Sequence, residues 1–325
     1  MNVALTRSRL RNTLRAYWSY ALSRFGLVRI QHGPLFVSVE PANICQLHCP
    51  ACPVGLRNNV STELRNTDRF ISREIWQRTL SEVAQTAWTI QFYFQGEPLL
   101  HKDLPQMIAE AHAAGLYTIV STNAQAMTPQ LAEALMNAGL NRIIISMDGL
   151  TDESYNAYRV GGKLEQCKSA LRWLHESKIK HQTSNIIIEL QCLRLRTNEH
   201  EWQAFKKQYK ALGADRLVFK TAQLYNYANG HPLMPTNPRY SRYIQGPDGR
   251  YHRKPISKAC LRVWTGCVIT TTGDVLPCCY DKAHAHAYGN IMHQPLKTIF
   301  SNDKANAFRR AALTHQPQIC QECYQ

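Results

Sequence analysis

The chain has 325 residues, 44% of them hydrophobic and 19% charged, proportions of an ordinary globular protein with length for one large domain and a smaller one. No run of roughly 18 uncharged apolar residues occurs, which excludes an ordinary membrane-spanning helix, and the N-terminus lacks the apolar core and small-residue cleavage site of a secretory signal. The formal net charge of +15 asks for an acidic partner, and eleven cysteines without a signal peptide predict metal or redox chemistry in a reducing cytosol, not a disulfide framework.

Residues 4–27 are predicted to form an amphipathic helix. Leu10, Leu14, Tyr17, Trp18, Ala21, Leu22 and Phe25 recur at helical spacing, with most of the arginines elsewhere on the wheel. Residues 1–39 contain Arg7, Arg9, Arg11, Arg15, Arg24 and Arg29 and no acid before Glu40. One reading packs the apolar face against the outside of the following domain. The other rests a basic interfacial helix on an anionic membrane, giving a cytoplasmic protein a peripheral membrane contact. Gly33-Pro34 closes this first segment, residues 1–33.

From 34 to 221, short β-rich runs alternate with helical stretches. Predicted strands cover 35–39, 89–94, 117–121, 142–147, 185–191 and 215–219, and predicted helices lie near 71–87, 104–114, 129–138, 163–178 and 199–212. Gly115, Gly139 and Gly213 sit where helix C-caps are needed, Thr128-Pro129 reads as an N-cap with proline at N1, and Asn198 with Glu201 fits a capping box. Repeated strand–helix units imply a parallel sheet with right-handed crossovers. Six units fall short of the eight in a closed barrel.

Residues 222–256 are rich in Tyr, Asn, Pro and Gly and lack periodicity, so they are expected to form a linker or an active-site lid. The last stretch, 257–325, holds Cys260, Cys267, Cys278, Cys279, Cys320 and Cys323. Ile269 to Leu276 reads as a β-hairpin turning at Gly273-Asp274, which brings Cys260 and Cys278 to the same end of a small sheet. A turn at Tyr288–Ile291, a helix near 296–313 and Cys320-x2-Cys323 complete the segment. Four cysteines with a C-x2-C half-site suit zinc or an iron–sulfur cluster, and spacing alone does not separate the two. Cys267 and Cys279 compete for ligand places; the alternative for each is a small buried hydrophobe. Cys167 and Cys192 are expected in the core, and His284 and His286 on a solvated loop.

Cys45, Cys49 and Cys52 stand at C-x3-C-x2-C spacing in a loop after the first strand. Soft thiolates favour iron–sulfur clusters, zinc or Cu(I). A [4Fe–4S] cluster normally takes four cysteines, so three suggest a cluster with one iron left open. The spacing resembles the signature of the radical SAM superfamily, whose open iron binds S-adenosylmethionine (SAM). Ala51 departs from that pattern, standing where most members carry an aromatic residue or Met against the adenine. Gln95-Gly96-Glu97-Pro98 is similar to the family's GGEP motif, with Gln for the first Gly. By that resemblance Gly96, Glu97 and Pro98 hold the methionine amino group of SAM. Asn123 and Ser146, ending the third and fourth strands, face its ribose and the substrate, and Arg159 pairs with its carboxylate through the guanidinium fork.

The resemblance covers residues 35–325. It implies an α/β fold, a partial (β/α)6 TIM-like barrel, with the small C-terminal segment looking like a SPASM/twitch β-hairpin-plus-helix domain. That implies an auxiliary [4Fe–4S] cluster on Cys260, Cys278, Cys320 and Cys323. Sulfatase-maturating members carry an Asp base where Cys279 stands, so their chemistry is not carried over, and no catalytic base is legible. The implied reaction is reductive cleavage of SAM to a 5′-deoxyadenosyl radical that abstracts a substrate hydrogen, fed by a reductant such as flavodoxin or ferredoxin. The implied substrate is a peptide or a sugar-type small molecule, and the basic surface suits an anionic one. Two readings from other classes stand beside this: a nucleic-acid-binding metalloprotein, on the net charge, and an iron–sulfur electron carrier.

Overall fold

Each predicted β-rich run of the first 221 residues forms a strand of one parallel sheet in a computed structural model that describes residues 4–56, 69–181, 185–254 and 260–323. The strands are β1 (Phe36–Val39), β2 (Thr89–Phe92), β3 (Tyr117–Thr122), β4 (Arg142–Ser146), β5 (Ile187–Arg194) and β6 (Arg216–Thr221). They lie side by side in chain order, with Val37 opposite Ile90 and Ile143 opposite Ile188. Ile90, Val120, Ile143, Ile145, Ile188 and Leu190 bury one face of the sheet against the crossover helices, where Leu104, Ile108, Leu135 and Leu171 meet them in the core. Gly115, Gly139 and Gly213 end those helices with positive φ, and Thr128 caps its helix by accepting the Leu131 N–H at 3.1 Å. The result is an α/β partial barrel, open between β6 and the opposite edge of the sheet.

The C-terminal hairpin departs from the sequence expectation. It does not make a small sheet of its own. β9 (Gly266–Ile269) pairs in parallel with β1, Phe36 opposite Gly266 and Val39 opposite Ile269, and β10 (Asp274–Leu276) and β11 (Gly289–Asn290) follow antiparallel. β1 would otherwise be an exposed edge with unpaired backbone groups, and the hairpin satisfies them. Two further expectations fail locally. Asn198 and Glu201 form no capping box: the Asn198 Oδ1 accepts the Leu195 N–H at 3.1 Å, while the Glu201 carboxylate accepts from Ser154 Oγ and the Leu150 N–H. Near 296–313 there are two helices, Leu296–Ser301 and Asp303–Leu313, because Asn302 stops the first and caps the second, accepting the Ala305 N–H at 2.8 Å. The expected division at residues 256–257 lies outside the described residues.

Helix α1 (Arg7–Ser23) is docked the opposite way from its apolar pattern. Arg9, Asn12, Ala16, Ser19 and Ser23 are buried, and Leu10, Leu14, Tyr17 and Trp18 are exposed. The buried Arg9 guanidinium donates to the carbonyls of Ala4, Gly115, Ala84 and Ala114 at 2.7–2.9 Å, the last two being the C-caps of helices Arg73–Val83 and Leu104–Ala113. Helix C-termini present unsatisfied carbonyls and a partial negative charge, so a cation there replaces what an apolar contact would have supplied. Asn12 exchanges both its amide groups with Gly33, at 3.0 and 2.9 Å.

Candidate active site

The loop after β1 carries the cysteine triad and is clamped from both sides. The Ile71 N–H donates to the Pro41 carbonyl and the Asn43 N–H to Arg69, while the Glu97 N–H donates to Ile44 at 2.8 Å. Gly96 lies so close that a Cβ there would come within 2.1 Å of the Ala42 carbonyl oxygen and 2.7 Å of the Ile44 carbonyl oxygen. Only glycine lets the Gly96-Glu97-Pro98 turn cross the triad loop at that distance. Gly96→Ala should therefore cost about 3 kcal/mol or more, since the obstacle is backbone and cannot rotate away. Urea unfolding monitored by circular dichroism measures it.

Glu97 knits three strand ends together. Its buried carboxylate accepts from Thr122 Oγ1 at 2.5 Å, the Leu99 N–H at 3.0 Å and the Asn123 N–H at 2.8 Å. Asn123 then donates its amide to Cys45 Sγ at 3.4 Å, where the Leu47 N–H also points at 3.4 Å. Gly96, Glu97, Pro98, Asn123 and Cys45 thus form one connected group. Burial holds the Glu97 carboxyl above its usual range despite these donors.

Arg159 reaches the same place from another loop. Its Nε donates to Asp148 Oδ2 at 2.6 Å, and Asp148, fully buried, accepts the Leu193 N–H through Oδ1 at 2.6 Å. The neighbouring Val160 carbonyl accepts the His48 N–H at 2.9 Å, which seats this loop on the triad. Burial pushes the Cys45 and Cys49 thiols to about 11, and the nearby Arg159 guanidinium opposes the rise at both. Ser146 is buried at the end of β4, two residues before Asp148. Asp148 belongs to the strand-end segment Ser146-Met147-Asp148-Gly149, and its pairing with Arg159 is the part that sequence reading did not single out. The signal was an acid just beyond a predicted strand end, eleven positions before an arginine.

These residues fit the cluster that the spacing suggests. Three soft thiols share one tight loop, two N–H donors already address Cys45, and Gly55 keeps the loop compact, since a Cβ there would come within 2.4 Å of the Cys49 carbonyl oxygen. The Tyr-rich stretch is not a bare linker. Leu224, Leu233, Met234 and Tyr243 pack with Leu47, Cys49 and Ala51 in a second small core, and β7 (Tyr243–Gln245) pairs with β8 (Tyr251–Arg253).

The C-terminal cysteines gather on the far side of the hairpin. Cys260 precedes the turn Arg262–Thr265, Cys278 and Cys279 follow β10, and Cys320 and Cys323 lie in and just after the last helical turn. Burial pushes the Cys320 thiol to about 12, with Cys260 and Cys323 adding to the rise, and burial with neighbouring thiols also raises Cys278 and Cys323. Cys279 instead accepts from Arg262 Nη1 at 3.0 Å. It faces a cavity of 420 Å³ that Ser38, Gln91 and Tyr93 of the barrel wall share with Arg262 and Cys278. Cys267 is buried in β9, and Cys167 and Cys192 are in the core. His284 lies against Phe94 and His286 against Phe308. Among the described residues no three Cys, His, Asp or Glu side chains close on a single ion.

Glu40 directly follows β1 and is fully buried, one oxygen accepting the Thr271 N–H at 3.5 Å and the other without a partner, and burial raises its carboxyl to about 7. The unfolded chain ionises this group near its ordinary value, so the folded state holds the extra proton between that value and about 7 and loses stability as pH rises through that window. Glu40→Gln should leave stability unchanged at pH 4 and raise it by roughly 2–3 kcal/mol at pH 8. Urea unfolding at the two pH values checks the sign.

Residues 39–189 match the family model of the radical SAM superfamily, and residues 260–324 match that of an iron–sulfur cluster-binding domain, SPASM. A PqqA peptide cyclase of Rhodopseudomonas palustris is 34% identical over 209 residues, 62% of this chain and 51% of that protein, so the match spans about half the relative's length. One from Streptomyces rochei is 26% identical over 317 residues, 89% of this chain and 81% of that protein. Among solved structures, Streptococcus suis SuiB bound to S-adenosylmethionine superposes with a TM-score of 0.66 at 14% identity, covering 90% of this chain and 70% of that one.

Proposed function

The chain belongs to the radical SAM superfamily and carries a SPASM domain, and on that premise we propose that it modifies a peptide, binding SAM at the Cys45–Glu97–Asn123 end of the barrel. It is an enzyme whose cofactors are SAM, an active-site [4Fe–4S] cluster and auxiliary iron–sulfur. When bound, these supply reductive cleavage of SAM to a 5′-deoxyadenosyl radical and abstraction of a substrate hydrogen. Cys45, Cys49 and Cys52 hold the first cluster, and Cys260, Cys278, Cys320 and Cys323 hold the second. The PqqA peptide cyclases among its relatives support a peptide as the substrate.

The protein's own residues bind, orient and exclude water. Glu97 and the backbone around Gly96 and Pro98 present oxygens to the methionine ammonium, with Glu97 kept rigid by its three donors. Arg159 is anchored through Nε, and its Nη atoms, which take no hydrogen-bond partner among the described residues, can fork onto the methionine carboxylate. Asn123 and Ser146 would face the ribose and the substrate, and the Tyr243-bearing segment packs against Leu47, Cys49 and Ala51 of the triad loop. The proposed division is helix 1–33, barrel 34–221, linker or lid 222–256 and auxiliary domain 257–325. A flavodoxin or ferredoxin provides electrons, and α1 gives a peripheral membrane contact; no described helix is long and apolar enough to cross a membrane.

One observation carries the reading: the hydrogen-bonded path from Glu97 through Asn123 to Cys45, which unites the two separate motifs. Anaerobic reconstitution followed by reduction with SAM tests it. Formation of 5′-deoxyadenosine with about eight irons per chain is expected. Iron binding without that product would refute the enzyme reading and favour an electron carrier.

A further inference from the structure

We propose that the floor of the barrel is a seat for an anionic bilayer: the outward stripe of α1 enters the lipid interface, and a headgroup phosphate sits in the hollow beside Arg11 and Arg15. This deepens the membrane contact proposed above and rests on it. The first observation is the inversion of α1. Leu10, Leu14, Tyr17 and Trp18 share its outward face, Leu14 being 73% and Trp18 67% exposed, and Phe25 just beyond is 82% exposed. Burying one such side chain is worth roughly 1.5–3 kcal/mol. The helix leaves all of them out and spends Arg9 and Asn12 on attachment. A helix that served only as packing would present the other face.

Charge identifies what covers the stripe. Arg7, Arg11, Arg15, Arg24 and Arg29 are exposed along or beside it, and no acid occurs before Glu40. A second copy of the chain would bring two arginine rows together, which repel; anionic headgroups attract them. A second, independent feature lies alongside. A hollow of 200 Å³ is lined by Arg11, Arg15, Lys297 and His32, whose Nε2 is buried without a partner. The Glu82 carboxylate on its rim is already engaged by Arg78 at 2.9 Å and the Leu296 N–H at 3.2 Å. Arginine and lysine around a small hollow are the donors that a phosphodiester needs.

The seat also sets the direction of the enzyme. The contacts of α1 are to Gly33, Thr86, Trp88 and Gly115, just before β1, β2 and β3, and to Trp264 before β9. The cysteine triad follows the opposite end of β1. A bilayer under α1 therefore leaves the mouth facing water, so the peptide arrives from solution and not from the lipid.

Flotation of the full chain with vesicles decides this. Vesicles of phosphatidylcholine with phosphatidylglycerol should carry the protein and phosphatidylcholine alone should not. Leu14→Glu and Trp18→Glu should each weaken flotation at least tenfold, and Arg11→Gln with Arg15→Gln should weaken it while reducing its salt sensitivity. Millimolar inorganic phosphate should not displace the protein. Vesicle-bound protein should cleave SAM as fast as free protein, and Leu14→Glu should retain that rate in solution, which separates this proposal from the enzyme reading. No flotation, equal flotation on neutral lipid, displacement by free phosphate, blocked cleavage on vesicles, or a dimer abolished by Leu14→Glu would each overturn it.

Discussion

Replacing Cys45 by alanine is expected to abolish 5′-deoxyadenosine formation, a loss of at least roughly a thousandfold, or about 4 kcal/mol in the barrier. The thiol has two roles in the proposed site. It is one of the three ligands that leave a single iron open, and it is the acceptor at which the Asn123 amide and the Leu47 N–H meet. Alanine removes a ligand and leaves both donors without an acceptor. Iron should fall from about eight to about four per chain, because the auxiliary cysteines are untouched. The measurement is product by chromatography beside iron per chain. Full product in the variant would contradict the assignment of the triad.

Cys320→Ala is expected to do the reverse. The auxiliary cluster should be lost, with iron again near four per chain, while SAM cleavage persists within about threefold and the modified substrate no longer forms. The reasoning is spatial. Cys320 is buried at the last helical turn with Cys260 and Cys323, and its hydrogen-bond network has no member in common with the Glu97–Asn123–Cys45 path. The cavity that Ser38 and Tyr93 of the barrel wall share with Cys278 and Cys279 adjoins the C-terminal set and has no triad cysteine in its lining. Loss of SAM cleavage with the first cluster intact would refute that division of labour.

The two alternatives drawn from charge and cysteine content are not favoured. Net charge of +15 describes a surface and not a site. The local form of that excess, the arginines of α1, lies at the floor of the barrel, away from the triad.

Much of this was readable from the chain itself, and each success has a local cause. The triad needs only thiols at a spacing that one loop can close, and Gly96-Glu97-Pro98 needs only a strand end before it. Strand and helix positions followed from apolar periodicity with Gly115, Gly139 and Gly213 as caps, features set by residues a few positions apart. The failures share the opposite cause. Asn198 and Glu201 have capping-box spacing, but Glu201 is claimed by Ser154 and Leu150, which are far away in sequence. Asp148 gives no sign in sequence that Arg159 folds back onto it.

By itself, the sequence determined the three-cysteine loop, the six strand–helix units and the family resemblance, because thiol spacing and side-chain periodicity are properties of neighbours along the chain. Tertiary structure alone decided which face of α1 is covered, that the hairpin completes the open edge of β1, and that Glu97 and Asn123 hold Cys45. Those outcomes depend on which distant carbonyls, edges and thiols are left unsatisfied when the barrel forms, and periodicity reports where apolar residues lie, not what will be there to meet them.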